Sequence, residues 1–189
     1  MPAAWLIRNW RLRRAAGEAL RRMRALGIAP GRFLVVVSVP EQALGLFERE
    51  APDCRLLARV RCSTSKFGVG EQSGSYKTPR GLHRIARKIG GGWPAGAIFK
   101  SRRMVGYTWN GPAGASVTTR ILWLDGLEPG FNRGGNVDSF SRYIYIHGTP
   151  DAPGLGRPAS HGCVQVGDAD LIALYRRLPA GALVWISAR

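Results

Sequence analysis

Acidic residues are scarce in this chain of 189 residues, which has 12 aspartates and glutamates against 28 lysines and arginines and a formal net charge of +16. Such a positive field favours anionic partners, among them nucleic acid, anionic lipid and acidic wall polymers. A disordered chain is excluded, because 45% of the residues are hydrophobic and the length suffices for a buried core. We therefore expect one globular domain, rich in turns because of its 25 glycines and 12 prolines.

Long apolar runs are also missing, as the N-terminal segment shows. Residues 3–26 have the spacing of one amphipathic helix, but arginines interrupt them throughout, so neither a signal peptide nor a transmembrane span is predicted. The functional interpretation is a helix lying on an anionic membrane surface. The structural interpretation is a helix packed on its own domain, or a leader that is missing or read only in part. The second is favoured, because basic helical faces are usually just solvated. We divide the chain into this helix, 1–31, and a domain, 32–189.

Cysteine and histidine are rare, with three of each, so every one is a candidate for chemistry. Cys54 and Cys62 lie in one predicted strand and can form a disulfide only in an oxidising compartment. His83 alternates with apolar residues in another predicted strand, which is typical of a structural histidine. Cys163 differs from the others, because it follows His161 and Gly162 in a loop.

An alternating apolar run brings His147 to the end of a predicted strand, and a loop rich in proline and glycine then leads to Cys163. A thiol attacks only as thiolate and needs a nearby base, for which imidazole is the usual choice. Gly162 permits a sharp turn, so that the N–H groups around Cys163 can converge into an oxyanion hole. Zinc is the alternative for His147, His161 and Cys163, but no fourth ligand accompanies them. The pattern predicts a nucleophile site without metal.

These residues resemble the signature of the YkuD-type L,D-transpeptidases of bacterial cell walls, which is His-Gly, a loop, and then Ser/Thr-His-Gly-Cys-x-Arg. Here the signature reads His147-Gly148 and then Ser160-His161-Gly162-Cys163-Val164-Gln165. The resemblance extends over roughly residues 33–187. It departs from the family at Gln165, where the family usually has arginine. An amide carries no charge and does not bind a carboxylate as a bidentate guanidinium does.

The resemblance implies a mainly β fold, an antiparallel β sandwich or barrel-like sheet with few short helices. It implies acyl transfer through a thioester on Cys163, with His147 as the base and no cofactor. The implied donor is a peptidoglycan stem tetrapeptide, and the acceptor is an amine of a neighbouring stem (a 3→3 cross-link), water or a lipoprotein amine. The implied location is the periplasm or cell envelope. The remaining implied site residues are His161, Gly162 and Ser160 for the oxyanion and loop, and Gln165, Gly148, Tyr145 and Thr149 for substrate.

A second class of function stays open, which is a module that binds peptidoglycan without turnover. Gln165 and the missing export signal both favour it. Nucleic-acid binding is not expected, because the arginines and aromatic residues form no recognisable module. For the fold, we predict strands over 33–39, 43–48, 54–63, 82–86, 118–124, 142–147 and 182–186, long loops over 88–120, and a short helix that has Asp168 as its N-cap.

Overall fold

The computed structural model describes residues 9–111, 114 and 116–189, so the predicted helical residues before Asn9 lie outside the described part. Within the described residues the structure contains ten strands and two α-helices. The helices are α1 (Trp10–Ala25) and α2 (Asp168–Arg177). The strands are β1 (Phe33–Ser38), β2 (Ala43–Glu50), β3 (Asp53–Ser63), β4 (Gly81–Ile89), β5 (Ala97–Lys100), β6 (Arg103–Tyr107), β7 (Thr118–Gly126), β8 (Tyr145–Gly148), β9 (Val164–Val166) and β10 (Leu183–Ser187).

Eight of the strands close into a barrel. They follow the order β4-β10-β1-β2-β3-β9-β8-β7, and β7 pairs with β4 to complete the circle. The pairs β1–β10 and β8–β9 are parallel, whereas the other pairs in the barrel are antiparallel. Closure leaves these strands without a free edge. The predicted mainly β, barrel-like fold is confirmed.

Side chains alternate between the inside and the outside of the barrel, as in any strand. Leu122, Ile146 and Val164, from β7, β8 and β9, are fully buried in the interior core. The helix α2 adds Leu171 and Leu174 to this core. The residues that alternate with these on β7, β8 and β9 therefore face outward, and this outer face carries the predicted site.

The helix α1 packs against the outer face of β1, β2, β4 and β10. Its apolar side is buried there, through Leu12, Ala15, Ala16, Ala19 and Met23. The guanidinium of Arg22 donates to the buried carboxylate of Glu128 at 2.7 Å, and Glu128 in turn accepts from the backbone N–H of Leu82. The apolar side of α1 is thus occupied by its own domain. Among the described residues, no helix has the length and hydropathy needed to cross a membrane.

The prediction of long loops over 88–120 is wrong, because this region contains the β5–β6 hairpin. The strands of this hairpin are short and lie between glycine-rich turns, so the alternation of apolar and polar residues is too brief to be recognised in the sequence. The predicted strand over 142–147 begins only at Tyr145, because Tyr143 has a φ of 56° and interrupts the extended backbone. Asp168 lies inside α2 and its side chain does not cap the helix, whose N-cap is Gly167. The three cysteines are free thiols.

Candidate active site

Two neighbouring parallel strands bring His147 and Cys163 to one face of the barrel. In the register of β8 and β9, Ile146 lies beside Val164 and His147 beside Gln165. Since Ile146 and Val164 point into the core, His147 and Cys163 alternate to the outside. Cys163 directly precedes β9 and packs against the cluster of Trp123, Tyr145 and the β5 side chains. The predicted nucleophile and base thus share one face.

The thiol of Cys163 contacts two backbone groups of the segment that leads into β8. Its Sγ atom accepts from the N–H of Tyr145 at 3.4 Å and lies 3.5 Å from the carbonyl oxygen of Tyr143. The residue is half-buried and packs against the aromatic cluster. Burial raises the pKa of Cys163 to about 11, against the opposing effects of the Tyr145 N–H and the Arg142 charge. The thiol is therefore protonated at neutral pH.

The imidazole of His147 is held in one tautomer. The residue is 3% exposed, and its Nδ1 atom lies 2.7 Å from the carbonyl oxygen of Gly148. Because a carbonyl only accepts, Nδ1 carries the proton and Nε2 keeps the basic lone pair. Burial lowers the pKa of His147 to about 4, although the bond to Gly148 acts in the opposite direction. The resting site is thus a neutral thiol and a neutral imidazole, not an ion pair.

The loop before Cys163 is braced by Ser160. The Ser160 hydroxyl donates to the carbonyl of Cys163 at 2.6 Å and accepts from the N–H of Gly162 at 3.2 Å. Gly162 has a φ of 123°, which favours glycine, and its carbonyl accepts from the Thr78 hydroxyl at 3.0 Å. In this conformation the Gly162 N–H is directed at Ser160, so its role in an oxyanion hole stays a prediction.

Aromatic side chains from residues 66–78 form a wall beside this loop. Phe67 and Tyr76 are 47% and 62% exposed. Both contact His161, with ring centroids 5.7 and 6.2 Å away. His161 thus belongs to the wall. The sequence analysis did not predict this wall, although its two aromatic residues were a signal.

Arg142 fastens that wall to the site, and sequence reasoning missed this role. Its guanidinium donates to the backbone carbonyls of Glu71 at 2.6 Å, Lys77 at 2.7 Å and Gly70 at 3.2 Å. These acceptors are neutral, so the positive charge is not cancelled by them. The charge also opposes the rise in the pKa of Cys163 that burial causes. Arg142 therefore combines a loop clamp with a cation beside Cys163.

Two of the predicted substrate residues have visible local roles. An added Cβ at Gly148 would lie 2.6 Å from a carboxylate oxygen of Asp168 and 2.8 Å from the carbonyl of Thr118, so only glycine fits. The hydroxyl of Thr149 accepts from the N–H of Asp151 at 3.1 Å and stabilises the turn after β8. Substrate contact by either residue stays a prediction.

Gln165 and Tyr145 lie on either side of the reactive pair. Gln165 is opposite His147 on β8 and opposite Ser63 on β3. The ring of Tyr145 meets Trp123 edge-on at 5.5 Å. Burial raises the pKa of Tyr145, and the neighbouring Arg102 opposes this rise.

The third histidine is not part of this face. His83 is fully buried between the carbonyl of Gly81 and the Ser139 hydroxyl, at 3.1 and 3.0 Å, as expected for a structural histidine. Tyr107 and Trp109 stack on each other with ring centroids 4.6 Å apart. Within the described part of the chain, no three side chains of histidine, cysteine, aspartate or glutamate form a group that can hold a metal ion.

Comparison with known proteins gives one matching family and several similar solved structures. The model of the YkuD family, the L,D-transpeptidase catalytic domain, matches residues 32–186. No curated protein matches the chain in sequence.

The similar solved structures include Bd1075 of Bdellovibrio bacteriovorus, with a TM-score of 0.53 and 17% identity over 83% of this chain and 48% of that one. L,D-transpeptidase 3 from Mycobacterium tuberculosis, in complex with a faropenem-derived adduct, has a TM-score of 0.50 and 20% identity over 82% and 60%. An L,D-transpeptidase mutant from Enterococcus faecium has 0.50 and 12% over 84% and 50%. At these identities the likeness concerns the fold, and the chain spans about half to three fifths of their lengths.

Proposed function

The chain belongs to the L,D-transpeptidase catalytic-domain family, and on that premise we propose that it transfers an acyl group of a peptidoglycan stem peptide through a thioester on Cys163. One observation carries the proposal. His147 and Cys163 lie on one outer face of adjoining strands, and His147 is held in the tautomer that leaves Nε2 basic. A thiol with an oriented imidazole is the arrangement that nucleophilic acyl transfer needs.

In the acylation step, Sγ of Cys163 attacks the carbonyl carbon of the L-centre while Nε2 of His147 takes the thiol proton. The negative charge moves to the carbonyl oxygen, where the backbone N–H group of Cys163 is proposed to stabilise it, joined by that of Gly162 once it leaves the Ser160 hydroxyl. Such a donor contributes roughly 3–4 kcal/mol. The C–N bond then breaks, the imidazolium returns its proton to the departing D-alanine amine, and a thioester remains.

In the second step, an acceptor attacks the thioester and regenerates the thiol. A side-chain amine of a neighbouring stem gives a 3→3 cross-link, water gives a carboxypeptidase, and a lipoprotein amine gives wall anchoring. His147 takes the proton of the acceptor in each case. We propose the stem amine as the acceptor. Acceptor choice depends on the walls around the site and not on the reactive pair.

The proposed location is the cell envelope, because peptidoglycan stem peptides lie outside the cytoplasmic membrane. A contact between α1 and an anionic membrane surface would use the arginines of its solvated side, because its apolar side is packed on the barrel. This contact is part of the proposal and is electrostatic, so it should weaken as salt is added.

A second candidate function is a module that binds peptidoglycan without turnover. It is favoured by Gln165, which stands where the family signature has arginine, and by the neutral state of the resting thiol. The two candidates differ in one observable property, which is covalent reactivity at Cys163.

The test is intact mass after incubation with meropenem, a carbapenem whose strained carbonyl acylates a competent nucleophile. The proposal expects one adduct on the wild type and on Cys54→Ala, and none on Cys163→Ala. Cys54→Ala is the matched control, because it removes a cysteine from another part of the fold. Folded, reduced wild type without an adduct would overturn the transferase and favour the binding module.

A further inference from the structure

A cavity of about 900 Å³ lies between α1 and the barrel, a size that accommodates a small-molecule ligand. It is lined by one side of α1, the start of β4, the loop after β7, and the end of β10 with the residues that follow it. Its lining, as far as the structure describes it, includes neither Cys163 nor His147 nor any residue of the 66–78 wall. Eight of the fourteen lining residues lie outside the stretch 32–186 that matches the family, five of them in α1 and three after Ile186. The cavity is therefore formed largely by parts of the chain outside the catalytic domain.

Arginine dominates this lining. The described lining residues include five arginines and two glutamates. The arginines are Arg14, Arg21 and Arg22 of α1, Arg80 before β4, and Arg189 after β10. They thus approach the cavity from three separate parts of the fold. A concave surface lined by charges of one sign focuses the electric field, so the cavity attracts anions.

The two glutamates are already engaged by the protein. The carboxylate of Glu128 is 4% exposed and accepts from the Arg22 guanidinium and from the backbone N–H of Leu82, each at 2.7 Å. The carboxylate of Glu18 accepts from Nε of Arg14, four residues earlier in α1, at 3.3 Å. Their negative charges are therefore matched by arginines of the same cavity and do not compensate the others.

Arg21 and Arg189 provide positive charge that no carboxylate balances. Among the described residues, no carboxylate lies within 4.0 Å of either guanidinium. Arg80 adds a guanidinium of fixed position, because its Nε and Nη2 atoms donate to Glu71 at 2.7 and 3.1 Å and it lies 5.5 Å from the ring centroid of Phe131. A guanidinium has five N–H groups, so further donors of Arg80 remain. The cavity thus combines two uncompensated cations with one fixed donor.

Guanidinium groups that converge from several directions suit one class of ligand. A carboxylate has two oxygens in one plane, which a single guanidinium can bind, whereas the oxygens of a phosphate are arranged tetrahedrally and can accept from several guanidinium groups at once. We propose that this cavity binds the phosphate group of a small anionic ligand through Arg21 and Arg189. The same chemistry is found in a soluble phosphate ester and in the headgroup of an anionic phospholipid. The inference does not rest on the proposed acyl transfer.

The first measurement is the affinity of the full chain for pyrophosphate by isothermal titration calorimetry. The cavity variant, Arg21→Gln with Arg189→Gln, should bind it at least about 10-fold more weakly, as expected when hydrogen bonds to a charged group are lost. The matched control is Arg24→Gln with Arg176→Gln, which removes the same charge from α1 and from a second element outside the lining. Its affinity should stay within about twofold of the wild type, because salt screens distant exposed charges. All four side chains are exposed, so both variants should unfold at the temperature of the wild type.

The second measurement distinguishes the two sources of the phosphate. It is sedimentation with phosphatidylglycerol vesicles, with phosphatidylcholine vesicles as the blank. If a phospholipid headgroup is the ligand, the cavity variant should lose binding to phosphatidylglycerol while the control variant keeps it. If a soluble ester is the ligand, the two variants should bind the vesicles equally and differ only toward pyrophosphate.

The outcome that contradicts the inference is the same for both probes. Equal affinities of the cavity variant and the control variant for pyrophosphate and for the vesicles would mean that anions respond only to the net charge of the protein. A wild type that binds neither probe would also overturn the phosphate site. Neither result would affect the acyl transfer, which is tested by the meropenem adduct.

Discussion

The backbone N–H of Tyr145 donates to the Sγ atom of Cys163 at 3.4 Å. A donor at this position stabilises the thiolate more than the thiol. Nevertheless, loss of solvent around the sulfur outweighs it, and the pKa of the thiol is raised. In the proposed mechanism, activation therefore comes during the reaction, when His147 removes the proton, and not from a thiolate formed beforehand.

The first prediction concerns the titration of this pair. Burial raises the pKa of Cys163 to about 11 and lowers that of His147 to about 4, so both are neutral between these values. The ultraviolet absorbance of the Cys163 thiolate, taken as wild type minus Cys163→Ala, should be absent at pH 7 and rise only in strong alkali. The meropenem acylation rate should fall as the pH drops toward 4, because a protonated imidazole is no longer a base. A thiolate signal at pH 7 would contradict this and indicate an ion pair.

The second prediction concerns the clamp formed by Arg142. Arg142→Ala removes the donors that hold Gly70, Glu71 and Lys77, so the 66–78 wall should loosen and the cation beside the thiol disappear. We expect roughly 10- to 100-fold slower acylation, since hydrogen bonds to charged groups are each worth about 1.5–3 kcal/mol. The structural measurement is amide hydrogen exchange, which should become faster in residues 66–78.

Two further variants separate the charge of Arg142 from its shape. Arg142→Lys keeps the cation but cannot reach three carbonyls at once, so it should recover the thiol reactivity better than the protection of the wall. Arg133→Ala, which removes an exposed arginine from the preceding loop, should change neither the thiol reactivity nor the protection of the wall. If Arg142→Ala left both hydrogen exchange and acylation unchanged, the clamp would have no functional role.

The placement of His147 and Cys163 on one face could be predicted from the sequence through the family signature, whose residues lie close together in the chain. The alternation around Ile146 and the turn at Gly162 act through neighbours in the chain. The Arg142 clamp could not be predicted from the sequence, because its carbonyl acceptors lie 65 to 72 positions away along the chain. The strand break at Tyr143 was also hidden, since a positive φ at tyrosine is a tertiary effect and no residue pattern predicts it.

The hairpin that carries Arg102 shows the same limit. Its strands are only four and five residues long, and it is attached to β7 through the pairing of Ile98 with Thr118. Such strands are stabilised by what they pack on, here Trp123 and Tyr145, more than by their own propensity. Reasoning from composition therefore gave loops over 88–120.

The third prediction concerns Gln165, which lies opposite His147. Gln165→Arg adds a cation to the outer face near Cys163, which should lower the thiol pKa and accelerate acylation. We expect a gain of up to about tenfold, equivalent to one pKa unit. The measurement is the acylation rate with meropenem, and Gln165→Leu is the control for the loss of the amide alone. An unchanged rate in Gln165→Arg would mean that the existing cation of Arg142 suffices and that glutamine is no defect.

The last prediction concerns Gly148, whose carbonyl orients His147. Gly148→Ala places a methyl group 2.6 Å from Asp168 and 2.8 Å from the Thr118 carbonyl, so the end of β8 must move. We expect a loss of about 1–3 kcal/mol in the free energy of unfolding, as in other overpacked sites, measured by denaturant titration. Acylation should also slow, because the Nδ1 partner of the imidazole shifts with the strand.

The control is Gly31→Ala, since nothing lies within 4 Å of a Cβ there. This substitution should change neither the free energy of unfolding nor the acylation rate. The role of Gly148 is decided by comparing the acylation rates of Gly148→Ala and the wild type under conditions where all the protein is folded. A slow rate there means that the carbonyl of Gly148 orients the base, because a loss of packing alone would lower stability without changing the rate of the folded enzyme. A normal rate would contradict that role and leave Gly148 with a purely steric one.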